Sequence, residues 1–203
     1  MNFVSTLERL RAEPAAFLDN FCAASLGAFL IGYKDADTSS YDALMALLGV
    51  FPGPAQADAC SRVYMSYSDS AAGASAILDA LEKILGDDGV RPEAGLVGGL
   101  AFVEVVRGPI VGGRAAMILG EPTVITLYNY VRGYLCGMEA VSPVEAATQA
   151  QALSEFERWL QGNYQVPGAA WYKLIRIHEG ACERGLTRFI ELWDEFMKGR
   201  SAH

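Results

Sequence analysis

The chain has 203 residues, of which 52% are hydrophobic and 20% charged; that is enough apolar material for a packed core and excludes a disordered chain. The formal net charge is −8, from 24 acidic and 16 basic side chains, and a field of that sign repels nucleic-acid phosphates. The acid is unevenly placed: residues 1–88 hold 5 basic and 12 acidic side chains, net −7, whereas residues 114–203 hold 9 and 10, net −1.

In chain order, Phe3, Leu7 and Leu10 recur at helical spacing and predict a short amphipathic helix, interrupted by Pro14. Glu8, Arg9, Arg11 and Glu13 precede the next apolar run and Asp19 breaks it, so the pattern is not that of a secretory leader. A second helix is predicted over residues 20–35, with Phe21, Leu26, Phe29, Leu30 and Tyr33 as its apolar positions. Gly27 and Gly32 lie inside it, at a cost of about 0.5–1 kcal/mol each that close packing against another helix would offset. Ser39 and Asp42 resemble a helix start before Tyr41, Leu44, Met45, Leu47 and Leu48, and a Gly/Pro turn follows. Further helices are expected over residues 56–66 and, capped by Ser68 or Asp69, up to Gly86 as a C-cap.

Residues 89–113 read as a linker or connecting helix, with helix favoured over strand for the valine-rich part. The apolar run 94–113 carries Glu104 and Arg107 at its centre, where two charges exclude a lipid span. The next helix is expected to start with Pro122 in its first turn and run to Glu139. Ser142, Pro143 and Glu145 then form a start signal for a helix through Phe156, Trp159 and Leu160. A helix over Trp171, Leu174, Ile175 and Ile177 follows. The last helix places Leu186, Phe189, Ile190, Trp193 and Met197 on one face, with Lys198 and Arg200 at its C-terminal end.

Residues 15–36 and 118–140 say nearly the same thing. With a shift of 101, Gly32-Tyr33 falls on Gly133-Tyr134, Leu18 on Leu119, Leu26 on Leu127 and Phe29 on Tyr130. With a shift of 115, Pro52-Gly53 falls on Pro167-Gly168; with a shift of 112, Leu81 falls on Trp193 and Leu85 on Met197. The expected fold is therefore all-α: two tandem-duplicated helical units, residues 1–88 and 114–203, packed about a pseudo-twofold axis in one compact domain.

Catalytic signals are weak. His178 is the only internal histidine, and its segment lacks the second histidine of a zinc-protease helix or the turn of a nucleophile elbow. Cys22, Cys60, Cys136 and Cys182 are scattered and form no C-x-x-C pair, as expected of reduced thiols in a cytoplasmic protein. Tyr128, Tyr130, Tyr134, Trp159 and Trp193 sit at helical spacing, as core residues do. Neither a metal nor another cofactor is expected, and the chain is not read as an enzyme.

Three stretches of the second unit (residues 117–139, 156–175 and 189–197) resemble small helical bacterial proteins encoded beside secreted polymorphic toxins of the Rhs type, themselves similar to antitoxin-like immunity proteins. The resemblance spans about residues 114–199 and carries scaffold residues, with no catalytic motif. It implies an immunity protein that neutralises a cognate toxin. The acid of the first unit suits a toxin whose active site is basic, and Asp35, Asp37, Asp42, Asp58 and Asp69 are the candidate contacts. A helical scaffold or adaptor, and a small-molecule binder using a crevice between the units, are the alternatives; self-association stays open.

Overall fold

The computed structural model describes residues 2–50, 70–87 and 101–201, and every regular element among them is a helix. The expected helix over residues 56–66 and the caps at Ser68 and Asp69 lie outside them. Helix α1 (Phe3–Ala12) is capped by the Asn2 side chain, which accepts from the Ser5 amide at 2.9 Å, and buries Phe3, Leu7 and Leu10. A short 3-10 turn, Pro14–Ala16, leads to α2 (Ala23–Ala36). A second such turn, Thr38–Ser40, leads into α3 (Tyr41–Val50), and α4 (Ala71–Asp87) completes the N-terminal half. The C-terminal half comprises α5 (Phe102–Val111), the single turn α6 (Ala116–Leu119), α7 (Val124–Val141), α8 (Pro143–Tyr164), α9 (Trp171–Glu179) and α10 (Glu183–Ser201).

Several helix ends differ from the sequence-based expectation. Gly86 does not cap α4: the helix runs through it to Asp87, and at the other end the Ser70 hydroxyl accepts from the Gly73 amide at 3.3 Å. Pro122 is not in the first turn of α7. Thr123 is the N-cap, and it forms a reciprocal capping box with Thr126, each side-chain oxygen accepting from the other residue's amide at 3.1 Å. Ser142 does stand at the N-cap of α8 with Pro143 behind it, but its side chain makes no cap bond. Met197, expected on the buried face of α10, is 38% exposed; Leu192 and Phe196 are buried instead.

The fold is centred on the crossing of α2 and α7, the most extensive helix–helix contact among the described elements. Glycine makes it. A Cβ placed on Gly32 would lie 2.1 Å from the Tyr130 carbonyl oxygen, one on Gly133 would lie 1.9 Å from that of Phe29, and one on Gly137 would lie 2.5 Å from that of Tyr33. These distances leave no room for any side chain, so the two backbones touch. The contact is also reciprocal: Gly32 sits on Tyr130, and Gly133 sits on Phe29, the residue that the 101-position shift pairs with Tyr130.

Two apolar clusters flank the crossing. One takes Phe3, Leu7, Leu10, Phe17, Leu26, Phe29 and Tyr33 with Ile77, Leu78 and Leu81 of α4. The other takes Phe102, Val106, Tyr130, Phe156, Leu160, Trp171, Phe189 and Trp193, and reaches into the N-terminal half at Ala28 and Ala36 of α2, with half-buried Ile31 packed against it. Each half thus holds its own core. The second is the more aromatic, with Trp193 packed against Phe102, Phe156, Phe189 and Phe196 at ring separations of 5.3, 5.1, 6.2 and 5.9 Å.

A candidate partner groove between α1 and α4

Of the aspartates expected as partner contacts, the described residues include Asp35, Asp37 and Asp42; Asp58 and Asp69 lie outside them. The three stand together at the corner between α2 and α3, but they do not form an outward acidic face. Asp37, the C-cap of α2, is only 3% exposed, and the Ser40 hydroxyl donates to its carbonyl at 3.1 Å. Asp35 turns toward α7, where it accepts from the Tyr130 hydroxyl at 2.8 Å and pairs with Lys34 at 3.0 Å. Asp42, in the first turn of α3, is exposed. Asp35 thus serves the crossing and Asp37 is interior, leaving Asp42 as the one outward carboxylate of these three.

A second polar group ties the halves together. The Asn129 side chain, on α7 and fully buried, accepts from the Asp19 amide at 3.0 Å and donates to the Ser25 hydroxyl at 3.1 Å and the Ile125 carbonyl at 2.9 Å. The Tyr172 hydroxyl donates to Asp19, and Arg132 donates to the Ala16 carbonyl and, at 2.9 Å, to the Tyr128 hydroxyl. Every bond here closes within the chain, so the network fixes how the 3-10 turn after α1 seats on α7. Burial raises the phenol pKa values around the crossing: Tyr33 and Tyr130 well above 10, and Tyr134 to about 12, with the Asp35 carboxylate adding to the last two. Burial likewise pushes the Cys136 thiol up to about 11, which makes it a poor nucleophile. His178 is exposed and stacks on Tyr164 at a centroid distance of 4.2 Å. Among the described residues, no cluster of three or more His, Cys, Asp or Glu side chains is placed to hold a metal ion. None of the described helices is long and apolar enough to cross a membrane. The expected crevice between the units does not open at α2 and α7, where backbone meets backbone.

The open feature of the acidic half lies elsewhere, between α1 and α4. Val4, Leu7, Leu85 and Gly86 floor a groove of about 270 Å³, and Glu8 of α1 and Glu82 of α4 also line it. Leu7 is buried, Val4 is 40% exposed, and Gly86 has nothing within 4 Å of where its Cβ would be, so the floor is apolar and accessible. Arg11 pairs with Asp79 and with Glu82, both at 2.7 Å, which leaves three carboxylates to one guanidinium along this face. Among the described residues no cation pairs with Glu8. Sequence reasoning missed Glu8 and Glu82 because each looks like an ordinary solvated position on its own helix; only the packing of α1 against α4 brings them to one groove.

In the C-terminal half, α5 packs on α10, and this contact too carries an ion pair. Arg107 of α5 makes a bidentate ion pair with Asp194 of α10 at 2.9 and 2.7 Å, over the Phe102–Trp193 ring contact. That pair raises the guanidinium pKa and holds the Asp194 carboxyl below its ordinary value. No protein-family model, curated protein or solved structure matches this chain.

Proposed function

We propose that this chain is an immunity-type protein that binds a cognate bacterial toxin in the cytoplasm and blocks the toxin's basic active site with its acidic N-terminal half. The observation that carries this reading is the groove between α1 and α4: an open apolar floor with a glutamate from each helix, in the half that holds most of the net negative charge. Apolar burial would supply affinity there, and the carboxylates would steer a basic partner and fix its register. Of the aspartates in the original contact set, Asp42 is exposed and stays a candidate for the rim of the same interface.

We also read the fold as one ancestral helical unit written twice. The reciprocal seating of Gly32 and Gly133, the separate core in each half and the matching order of helices support this. In that reading the first unit begins at α1 and the second at α5, not after it, so residues 102–111 belong to the second unit. An adaptor reading would instead use exposed apolar side chains of the C-terminal half, such as Val111, Met117, Val144 and Ile177.

The test is co-expression. The chain is produced in bacteria together with each candidate toxin found in the genome of its host. Rescue of growth, lost on Glu8→Arg and kept on Ile177→Ser, supports the immunity reading. No rescue by the unaltered chain sinks it, and rescue lost only on Ile177→Ser points to the adaptor surface.

A further inference from the structure

We infer that the groove between α1 and α4 takes an arginine side chain of the partner, presented from an apolar segment, in the position that Arg107 occupies within the C-terminal half. This deepens the proposed function and rests on its reading of the groove as a docking surface.

Aligning α1 with α5 by a shift of 99 places Phe3 on Phe102, Val4 on Val103, Leu7 on Val106 and Glu8 on Arg107. The shift of 112 that pairs Leu81 with Trp193 also places Glu82 on Asp194. The bidentate pair Arg107–Asp194 in one half therefore corresponds to Glu8 and Glu82 in the other. Both helix pairs carry a guanidinium, but in the N-terminal half it is Arg11, one turn further along α1, that pairs with Asp79 and Glu82, and the position matching Arg107 holds the carboxylate of Glu8. Three carboxylates, Glu8, Asp79 and Glu82, share one guanidinium along this face, so the groove keeps a net negative charge that favours a cationic side chain.

The occupant's chemistry follows from the floor and the rim together. Val4, Leu7 and Leu85 would lie along the aliphatic stem of a long side chain, while Glu8 and Glu82 sit where its charged end would reach. Arginine fits better than lysine, because its planar fork can donate to two carboxylates at once, as Arg11 does to Asp79 and Glu82. Arg11 reaches Glu82 with Nε at 2.7 Å from outside the groove lining; among the described residues no cation pairs with Glu8, and Glu82 stays half exposed, with 50% of its side chain accessible. A free metal ion would find only the two carboxylates and an apolar floor, which is a poor donor set.

The experiment uses the full chain, isotope-labelled, and two synthetic amphipathic peptides that differ at one position: arginine in one, and its uncharged isostere citrulline in the other. Backbone amide shifts are followed on titration. The arginine peptide is expected to perturb Val4, Leu7, Glu8, Leu85 and Gly86, and the citrulline peptide to bind about tenfold more weakly or worse. Glu8→Arg places a guanidinium where Arg107 stands in the other half; it is expected to abolish arginine-peptide binding and to raise the thermal midpoint. Glu13→Arg makes the same charge change at an exposed site outside the groove and is expected to leave binding within about twofold. Equal binding of the two peptides, no binding of the arginine peptide, perturbation centred elsewhere, or equal losses from Glu8→Arg and Glu13→Arg would each overturn the inference. A chain that takes the arginine peptide at this groove and neutralises no toxin keeps this inference and loses the immunity reading. A chain whose Glu8→Arg variant still neutralises its toxin loses this inference and keeps the immunity reading.

Discussion

Replacing Gly133 by alanine probes the helix crossing at its tightest point. The new Cβ would lie 1.9 Å from the Phe29 carbonyl oxygen, more than an ångström short of van der Waals contact. That oxygen belongs to backbone inside α2, so it cannot swing aside as a side chain would; the two helices must part. Overpacking in a rigid core costs about 1–3 kcal/mol, and a backbone obstacle places this site at the upper end, about 3 kcal/mol. Alanine recovers about 1 kcal/mol of helix propensity, so the net loss is about 2 kcal/mol. For a chain of this size that lowers the thermal midpoint by roughly 4–8 °C. Gly162→Ala is the matched control: it lies in α8 with nothing within 4 Å of its Cβ position, and is expected to stabilise by up to about 1 kcal/mol. The assay is urea unfolding followed by far-ultraviolet circular dichroism. Tolerance of Gly133→Ala within about 0.5 kcal/mol, a value ordinary for surface sites, would refute the close crossing.

Asn129→Ala should destabilise by about 1–3 kcal/mol, because it leaves the Asp19 amide and the Ser25 hydroxyl without this partner in a buried site; a loss no larger than that of an exposed α8 substitution such as Thr148→Ala would contradict the network. Alkaline pH offers a separate test. Burial raises the phenol pKa values of Tyr33, Tyr130, Tyr134 and Tyr172 above 10, so the folded chain holds these protons more tightly than the unfolded chain. Their contribution to stability is complete below pH 10 and is lost as pH rises through the folded values, which for Tyr134 is about 12. Phenolate absorbance should therefore rise in two steps, the second coincident with loss of helical circular dichroism; a single step near pH 10 with helix retained would contradict the buried assignment.

What the sequence made legible was whatever depends on spacing along one helix. The stripe Leu186, Phe189, Ile190 and Trp193 was readable because burial on one face of α10 leaves a periodic trace. The Gly32-Tyr33 and Gly133-Tyr134 anchors were readable because glycine inside a helix carries a cost that demands a close neighbour, and the crossing supplies it. Helix ends were less legible. The capping box at Thr123 and Thr126 places a threonine where Glu or Gln usually stands, and α4 runs through Gly86 to Asp87. The candidate site was hidden for a different reason. Asp35 and Asp37 share composition and loop context with a solvated acidic turn, and only the fold turns the first toward Tyr130 and the second inward. Glu8 and Glu82 are 74 positions apart, and their meeting is a property of how α1 packs on α4.

The most direct measurement is calorimetric titration of a candidate cognate toxin, taken from the host that carries this chain, into the chain and into its Glu8→Arg and Glu13→Arg variants. Tight binding to the unaltered chain, at least tenfold weaker binding to Glu8→Arg and near-unchanged binding to Glu13→Arg is the predicted result. Equal affinity for all three proteins would contradict a groove-centred interface, and no heat of binding to any of them would remove the toxin from the account.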